Sequence, residues 1–341
     1  MVAIEENRNL KSFNTFGIAA KARYFCCISS IAELTELQQH PIYQTQRRLI
    51  LGGGSNVLFC KDFDGLVVLC NLKGMHTVRE NDETITVEVA SGEVWHHLVM
   101  YCVKNNWGGI ENLSLIPGST GAAPIQNIGA YGVEVKDVID SVTCVDSTSG
   151  EQHVFVNKQC KFGYRESVFK HDWKEKYFIS SVTLTLTKKN HRINTQYGAI
   201  ADTLKQMNVS VPTIQLVSDA VIAIRRSKLP DPAVIGNAGS FFKNPSIALS
   251  HYQSLQKNYP SIPNYPSVNQ EVKVPAGWLI EQCGWKGKRF GDVGVHALQA
   301  LVLVNYGSAK GEEIFSLAMK IIESVKEKFD IALTPEVNII A

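Results

Sequence analysis

The sequence predicts a mixed α/β protein made of three α/β pieces, and two features of the chain support this prediction. Apolar residues make up 45% of the 341 residues, which is enough for sizeable cores in two or three domains. Short apolar runs with strand periodicity alternate with amphipathic stretches of helical periodicity along the chain, and the sequence has no internal repeats.

Each element is predicted from its own local pattern. Residues 31–39 form an amphipathic run that ends before Pro41, and residues 84–90 alternate apolar and polar side chains as a half-buried strand does. Pro230 and Pro232 stop the helical pattern that begins near residue 213. We expect helices at 31–39, 93–105, 213–227, after Pro275 and at 310–328, and strands at 47–51, 65–71, 84–90, 177–187, 298–304 and 331–340, with a hairpin over 141–156 turned at Ser149 and Gly150. We also predict a linker over the polar stretch 188–212 and a loop over residues 236–245.

Two glycine-rich segments interrupt this pattern. Residues 51–58 place three consecutive glycines after an apolar run, and residues 112–134 combine glycine, proline and alanine with no bulky charged side chain before Glu134. Consecutive glycines after a strand suit a nest of N–H donors for a pyrophosphate, whereas the simpler interpretation is a pair of surface turns. Neither segment matches the dinucleotide fingerprint of a Rossmann fold or the phosphate loop of nucleoside triphosphatases.

Four further residues are candidates for chemistry, and each also has a structural interpretation. Ser240 follows small residues and precedes two phenylalanines, so it is either a turn hydroxyl or a group in a dry pocket. Arg165 either forms a surface ion pair or binds a carboxylate or phosphate through its planar fork. Glu336 is the only charged residue in 331–341, and it either faces water or is a half-buried carboxylate with a functional role. Lys228 ends a helical pattern, where favourable interaction with the helix dipole explains it.

Composition limits the possible partners and compartment. The formal charge is +2 and no basic run is long, so nucleic acid and anionic membranes are not implied partners. The first residues are polar and acidic, unlike a signal peptide, and no apolar stretch reaches the roughly 18 residues of a membrane span. Eight cysteines are scattered without Cys-x-x-Cys pairs, which favours buried reduced thiols in a cytoplasmic protein. The histidines form no ligand-spaced cluster with them, so we expect no metal site.

The ordered set of these motifs resembles the UDP-N-acetylenolpyruvoylglucosamine reductases, also called UDP-N-acetylmuramate dehydrogenases. These are flavoenzymes that complete UDP-N-acetylmuramate for peptidoglycan, the polymer of the bacterial cell wall. The segment around Tyr197 is similar to the tyrosine-bearing loop of the family's type I subgroup. The matching segments are 14–17, 51–58, 116–134, 162–167, 228–232, 237–245, 276–280 and 335–337.

The resemblance implies an α+β / α/β fold of three domains. Two of them would form an FAD-binding unit of the vanillyl-alcohol-oxidase (PCMH) type, and the third would be a C-terminal α/β substrate domain. On this chain the implied boundaries are 1–72 for the first FAD-binding subdomain, 73–210 for the second with its Tyr197 loop, and 211–330 for the substrate domain. The last strand, near 331–341, is expected to pack with the first subdomain.

The resemblance also implies roles for particular residues. Ser240 would be the proton donor, with Arg165 and Glu336 beside it. The cofactor-binding residues would be Gly53, Gly54, Ser55, Asn56, Pro117, Gly118, Gly121, Asn127, Gly129 and Ala130. The residues for the nucleotide sugar would be Tyr131, Tyr197, Arg225, Lys228, Asn244 and Gln299.

The implied reaction uses FAD as cofactor and NADPH as hydride donor. UDP-N-acetylglucosamine enolpyruvate and NADPH would share one site, and no obligate protein partner is implied. Neither glycine-rich segment contains a histidine or cysteine, so we expect the FAD to be bound non-covalently.

Two alternatives stay open from the sequence. The first is another flavin oxidoreductase or oxidase of the same fold, which would reduce oxygen and ignore UDP-sugars. The second is a flavin-free protein that binds nucleotide sugars and uses the glycine-rich segments for the diphosphate. A visible spectrum of the purified protein separates the second alternative from the others, because bound flavin is yellow.

Overall fold

The computed structural model describes residues 2–266 and 270–341, and these fall into two compact units. The first unit contains the residues up to Arg8, then Ala22–Gly53 and Asp64–Ser227. The second unit contains Asn9–Lys21, Gly54–Phe63 and Lys228–Ala341, so it is assembled from three separate stretches of chain.

Helices and strands alternate through both units. The helices are α1 Ile31–Gln38, α2 Pro41–Thr45, α3 Trp95–Lys104, α4 Gly198–Gln206, α5 Ile214–Lys228, α6 Leu249–Asn258, α7 Ala276–Gln282 and α8 Gly311–Phe329. The strands are β1 Glu5–Asn9, β2 Lys21–Ile28, β3 Arg48–Leu51, β4 Val57–Phe59, β5 Phe63–Cys70, β6 Met75–Glu80, β7 Thr84–Ala90, β8 Gly129–Ala130, β9 Val133–Glu134, β10 Ile139–Asp146, β11 Gln152–Val156, β12 Tyr177–Thr187, β13 Gly236–Ser240, β14 Ser246–Ala248, β15 Tyr265–Pro266, β16 Glu271–Lys273, β17 Arg289–Phe290, β18 Val293–Val295, β19 Val302–Asn305 and β20 Asn338–Ile340.

A five-stranded antiparallel sheet dominates the first unit. Its strand order is β11-β10-β12-β7-β6, and the predicted strands 84–90 and 177–187 are confirmed to the residue as β7 and β12. Helix α3, predicted at 93–105, buries Trp95, Val99 and Cys102 in a core shared with these strands. This packing fixes the start of α3, which lies beside the longer glycine-rich segment.

A second sheet of the first unit presents the shorter glycine-rich segment. In this sheet β3 runs parallel to β5, with Leu51 opposite Leu69, and residues 52 and 53 follow directly. The predicted helix 31–39 is confirmed as α1, which begins because Ser30 Oγ accepts a hydrogen bond from the Glu33 N–H at 3.1 Å. Strands β1, β2 and β6 were not predicted from the sequence.

The prediction that residues 188–212 form a linker is wrong, because they contain helix α4. Ile200 and Leu204 are four residues apart on one face of α4, and both are buried. They join Val217, Val221 and Ile224 of α5 in one hydrophobic cluster. The polar composition of the stretch obscured a helix whose stability comes from packing against α5.

The predicted loop at 236–245 is also wrong in part, because Gly236–Ser240 is strand β13. It pairs antiparallel with β19, with Gly236 opposite Asn305 and Ser240 opposite Val302, and the register shifts between Asn237 and Ser240. A Cβ at Gly236 would collide with the backbone carbonyl of Phe16, so only glycine fits there. Small residues have low strand propensity, and this strand is therefore determined by its neighbours.

The last helix and the last strand of the sequence, α8 and β20, belong to the second unit. Helix α8 is confirmed one residue later than predicted and buries Ile314, Leu317 and Ile321. The predicted strand 331–340 is shorter, as only Asn338–Ile340 forms β20, which runs parallel to β4 with Ile339 opposite Leu58. The predicted strand 298–304 corresponds to β19, which begins four residues later and ends one residue later than predicted, at Val302–Asn305.

Candidate active site

The two glycine-rich segments meet within the first unit. A Cβ placed on Gly53 would lie 2.9 Å from the Gly118 Cα, and one on Gly52 would collide with the Ser119 side chain. A Cβ on Gly121 would likewise collide with the Ser91 side chain. Only glycine permits such approach, and the result is a lining of bare backbone in which N–H groups can approach a ligand.

We expect Gly53→Ala to weaken FAD binding about tenfold or more, because the new methyl group would have to displace the backbone at Gly118. Gly307→Ala is the matched control, since its nearest heavy atom is 3.6 Å away. Ultrafiltration of the yellow protein at graded dilution measures the affinity. Equal flavin retention by both variants would contradict the assignment of this contact to the cofactor site.

Residues 91–95 hold the longer glycine-rich segment in place through backbone hydrogen bonds. The Trp95 N–H donates to the Gly118 carbonyl at 3.0 Å, and the Thr120 and Gly121 N–H groups donate to the carbonyls of Glu93 and Ser91 at 2.8 and 2.9 Å. The sequence analysis did not single out this support, since it consists of backbone hydrogen bonds between distant stretches. The only local signal was Ser91 and Gly92 between a strand and a helix.

The remaining predicted phosphate-binding residues lie in the second unit. Gly54 has φ +60° and is in close contact with the backbone of Phe13 and Asn14, and its carbonyl accepts from the Thr15 N–H at 3.1 Å. Asn56 Nδ2 donates to the Glu336 carbonyl at 3.4 Å. Ser55 lies between Gly54 and Asn56 and is half-buried. The 54–56 stretch is thus tied to the segment that contains Glu336.

Arg165 is held on a tight turn by three hydrogen bonds to the glycine-rich segment. Its own Nη2 donates to the Gly129 carbonyl at 2.6 Å, Asn127 Nδ2 donates to the Gly163 carbonyl at 2.9 Å, and Ser167 Oγ donates to the Ile125 carbonyl at 2.6 Å. Arg165 has φ +56°, a conformation that such contacts must stabilise. Arg165 is half-buried, and its hydrogen bond to Gly129 orients the guanidinium before any ligand binds.

Asn127 contributes to this arrangement from the interior. Its side chain is 0% exposed, and its Oδ1 also accepts from the Lys136 N–H at 3.0 Å. The amide therefore joins three stretches of backbone. Gly129 and Ala130, two further predicted cofactor residues, form β8 two residues after Asn127 and pair with β9.

Three of the predicted substrate residues form one group in the first unit. The rings of Tyr131 and Tyr197 meet edge to face at 5.5 Å, and the Arg225 guanidinium interacts with the Tyr131 phenol. Burial raises the pKa of Tyr131 and lowers the pKa of Arg225, while each partner opposes the shift of the other. Asn112, which is 1% exposed, donates through Nδ2 to the carbonyls of Tyr131 at 3.1 Å and Asn194 at 2.9 Å.

Ser240 and Glu336 lie on neighbouring stretches of the second unit. Ser240 is exposed at the end of β13, and the next residue, Phe241, accepts a hydrogen bond from the Glu336 N–H at 2.7 Å. Phe241 and Phe242, which follow Ser240 in the chain, are buried, so the exposed serine stands next to buried aromatic residues. Glu336 is half-buried and lies outside β20.

The other three predicted substrate residues also belong to the second unit. Lys228 is exposed at the last position of α5. Asn244 Oδ1 accepts from the Ala276 N–H at 2.9 Å, at the first residue of α7. Gln299 Oε1 accepts from the Leu301 N–H at 3.3 Å. Both amides therefore use their oxygen atoms for hydrogen bonds with the backbone.

Comparison with known proteins gives the family. A family model for the FAD binding domain matches residues 23–155, and a model for the UDP-N-acetylenolpyruvoylglucosamine reductase C-terminal domain matches residues 231–340. The protein of that name from Flavobacterium johnsoniae is 50% identical over 337 residues, 99% of each chain, and the one from Chromobacterium violaceum is 49% identical over 329 residues, 96% of each. The chain belongs to the UDP-N-acetylenolpyruvoylglucosamine reductase family.

A solved member of the family has the same fold. The crystal structure of UDP-N-acetylenolpyruvylglucosamine reductase from Thermus caldophilus covers 99% of this chain and 98% of its own, with a TM-score of 0.65 at 21% identity. The predicted fold class and the resemblance are thereby confirmed. As a member of this reductase family with an FAD binding domain, the protein is an FAD-dependent oxidoreductase.

The residues of the site fit FAD. The contact of residues 52–53 with 118–119 leaves backbone without side chains, which close approach of a pyrophosphate would require. Neither segment contains a charged side chain before Glu134. No group of three or more histidine, cysteine, aspartate or glutamate side chains within 2–266 and 270–341 could hold a metal ion. Over the same ranges, no helix is long and apolar enough to span a bilayer.

Proposed function

We propose that this protein reduces the enolpyruvyl ether of UDP-N-acetylglucosamine to UDP-N-acetylmuramate, using FAD and NADPH, in the synthesis of peptidoglycan precursors. The observation that supports this most strongly is 50% identity, over nearly the full length, to a UDP-N-acetylenolpyruvoylglucosamine reductase. The FAD binding domain over 23–155 argues against the flavin-free alternative. All eight cysteines are free, which agrees with a reducing, cytoplasmic location.

In this proposal the protein supplies charge and a proton. Bound FAD would supply the hydride for this reduction, with NADPH as the hydride donor. As the substrate alkene is reduced, negative charge develops on the carbon next to its carboxylate, and Arg165 stabilises that charge. The three hydrogen bonds at the Arg165 turn keep the guanidinium in place, so little reorganisation is needed during the reaction.

Ser240 donates the proton that completes the product. A serine hydroxyl is a weak acid, so it can act as a general acid only towards a strongly basic, carbanion-like carbon. Its exposed place at the end of β13 leaves the hydroxyl open to a ligand. Glu336, whose backbone is bonded to the residue after Ser240, positions groups around the same carboxylate.

The remaining assigned residues bind the cofactor and the nucleotide sugar. We assign FAD to Gly53, Gly54, Ser55, Asn56, Pro117, Gly118, Gly121, Asn127, Gly129 and Ala130, and the diphosphate and sugar to Tyr131, Tyr197, Arg225, Lys228, Asn244 and Gln299. The Tyr131, Tyr197 and Arg225 group offers two phenol oxygens and one guanidinium, which suits a diphosphate.

We further propose that NADPH and the UDP-sugar share one site, because both carry diphosphates and both must reach the same flavin at roughly 3–3.5 Å. We therefore expect ping-pong kinetics, with parallel double-reciprocal lines and inhibition by excess UDP-sugar. Initial rates of NADPH consumption over a grid of both substrate concentrations test this. Intersecting lines without substrate inhibition would refute the shared site, and NADPH consumption that needs only oxygen would favour an oxidase.

A further inference from the structure

Leu115 adopts a backbone conformation that its side chain disfavours. Its φ is +59°, in the left-handed region that branched, bulky residues rarely enter. Such a conformation persists only where the surroundings hold it. Leu115 stands directly before residues 116–121, which include Pro117, Gly118 and Gly121 of the proposed flavin site.

Two side chains hold the backbone of Leu115, one at its N–H and one at its carbonyl. His96 Nδ1 accepts a hydrogen bond from the Leu115 N–H at 2.9 Å, and Arg225 Nε donates to the Leu115 carbonyl at 3.2 Å. Since the backbone N–H is the donor, Nδ1 of His96 carries no proton. The imidazole is therefore neutral, with its proton on Nε2.

The His96 hydrogen bond completes the support that residues 91–95 give to the same loop. The neighbouring Trp95 binds the Gly118 carbonyl through its backbone N–H and the Leu113 carbonyl through Nε1, each at 3.0 Å. These backbone and indole donors do not titrate at ordinary pH. The bond from Leu115 to His96 differs from them, because it is lost when the ring gains a second proton.

We propose that His96 is a positioning residue, whose neutral Nδ1 holds the strained Leu115 and thereby fixes the loop 115–121 for the flavin. The proposal rests on the proposed function in one respect, that this loop contacts the flavin. It adds a role for a residue outside the set that we assign to the cofactor and the substrate.

The electrostatic surroundings of His96 agree with a neutral ring. Burial lowers the pKa of His96 below its ordinary value of 6.5, and the charges of His97, Arg226 and Arg225 lower it further. Of these three groups, His97 lies on the same helix α3, and Arg225 and Arg226 lie on α5. Because the folded pKa is lowered, the stabilisation is fully present above pH 6.5 and falls as the pH drops below it.

Three variants of the holoenzyme test the proposal, with FAD retention measured by ultrafiltration at graded dilution. We expect His96→Phe, which removes the acceptor, to weaken FAD binding about tenfold at about pH 8. His96→Asn should stay within about threefold of the wild type, because its amide oxygen can replace Nδ1. The matched control is His97→Phe, an exposed neighbour on α3, which should bind FAD as the wild type does.

A pH series and a double variant distinguish positioning from general damage to the fold. Between about pH 8 and pH 5 the wild type should lose flavin affinity that His96→Asn retains, since asparagine does not titrate. Leu115→Gly in the His96→Phe background should recover about half of the lost affinity on a logarithmic scale, because glycine tolerates positive φ.

Three results would overturn the proposal while the wild type stays yellow. They are equal flavin retention by His96→Phe and His97→Phe, failure of His96→Asn to restore binding, and an identical pH profile for His96→Asn and the wild type. A wild-type protein that binds no FAD would instead refute the proposed function. Thermal unfolding of each variant shows whether the fold is intact.

Discussion

Ser240→Ala is expected to slow the second half-reaction, oxidation of the reduced enzyme by the enolpyruvyl substrate, by about 10²–10⁴-fold. The first half-reaction, bleaching of the yellow enzyme by NADPH, should stay nearly normal because it requires no proton from Ser240. The substitution removes one hydroxyl from an exposed position at the end of β13 and leaves the buried Phe241 and Phe242 in place. Stopped-flow absorbance follows both half-reactions in one experiment.

Two further variants make the Ser240 result interpretable. Ser240→Cys should recover part of the rate, because a thiol is the stronger acid. Ser246→Ala changes another exposed strand serine of the same unit and should leave both half-reactions unchanged. Equal slowing of the two half-reactions by Ser240→Ala would mean that Ser240 shapes the pocket and donates no proton.

Arg165→Met is expected to lower kcat/KM for the enolpyruvyl substrate by about 10²–10³-fold, with most of the loss in kcat, because the charge it stabilises develops during the reaction. Arg165→Lys should recover only part of this rate. Lysine keeps the positive charge but lacks the planar fork that binds the Gly129 carbonyl and, as we propose, a substrate carboxylate. Steady-state kinetics at saturating NADPH measure both variants.

A control arginine separates chemistry from stability. Arg79 belongs to the same unit and forms an exposed ion pair with Asp140 at 2.9 Å, so Arg79→Met should leave the kinetics unchanged. If Arg165→Met lowered only the melting temperature and kept kcat, the arginine would serve to hold the 163–167 turn, and the catalytic assignment would be rejected.

The elements that the sequence predicted well are those whose pattern is local. Strand β7 alternates apolar and polar residues, and α8 repeats its apolar residues at helical spacing, so burial on one face follows from the sequence. Strand β13 has no such pattern, since its glycine and alanine residues are held by pairing with β19. Helix α4 depends on its contact with α5, which no window of residues 188–212 contains.

The residues of the candidate site also fall into those that could be predicted from a local pattern and those that could not. The glycine-rich segments and Ser240 were recognisable because unusual residues stand together in the chain. The support around them was not recognisable, since Asn127 and Asn112 act through hydrogen bonds to residues that are distant in sequence. A buried asparagine carries no sign in its own neighbourhood that its amide joins separate stretches of backbone.

The three-part composition of the second unit has a consequence for synthesis of the protein. Residues 9–21 and 54–63 leave the ribosome early, yet their partners are in 228–341. Asn56 and Asn338, whose hydrogen bond lies beside the β4–β20 pair, are 282 residues apart in sequence. Closing so long a loop is slow relative to local folding. The two early stretches therefore stay without these partners until residues 228–341 have been translated.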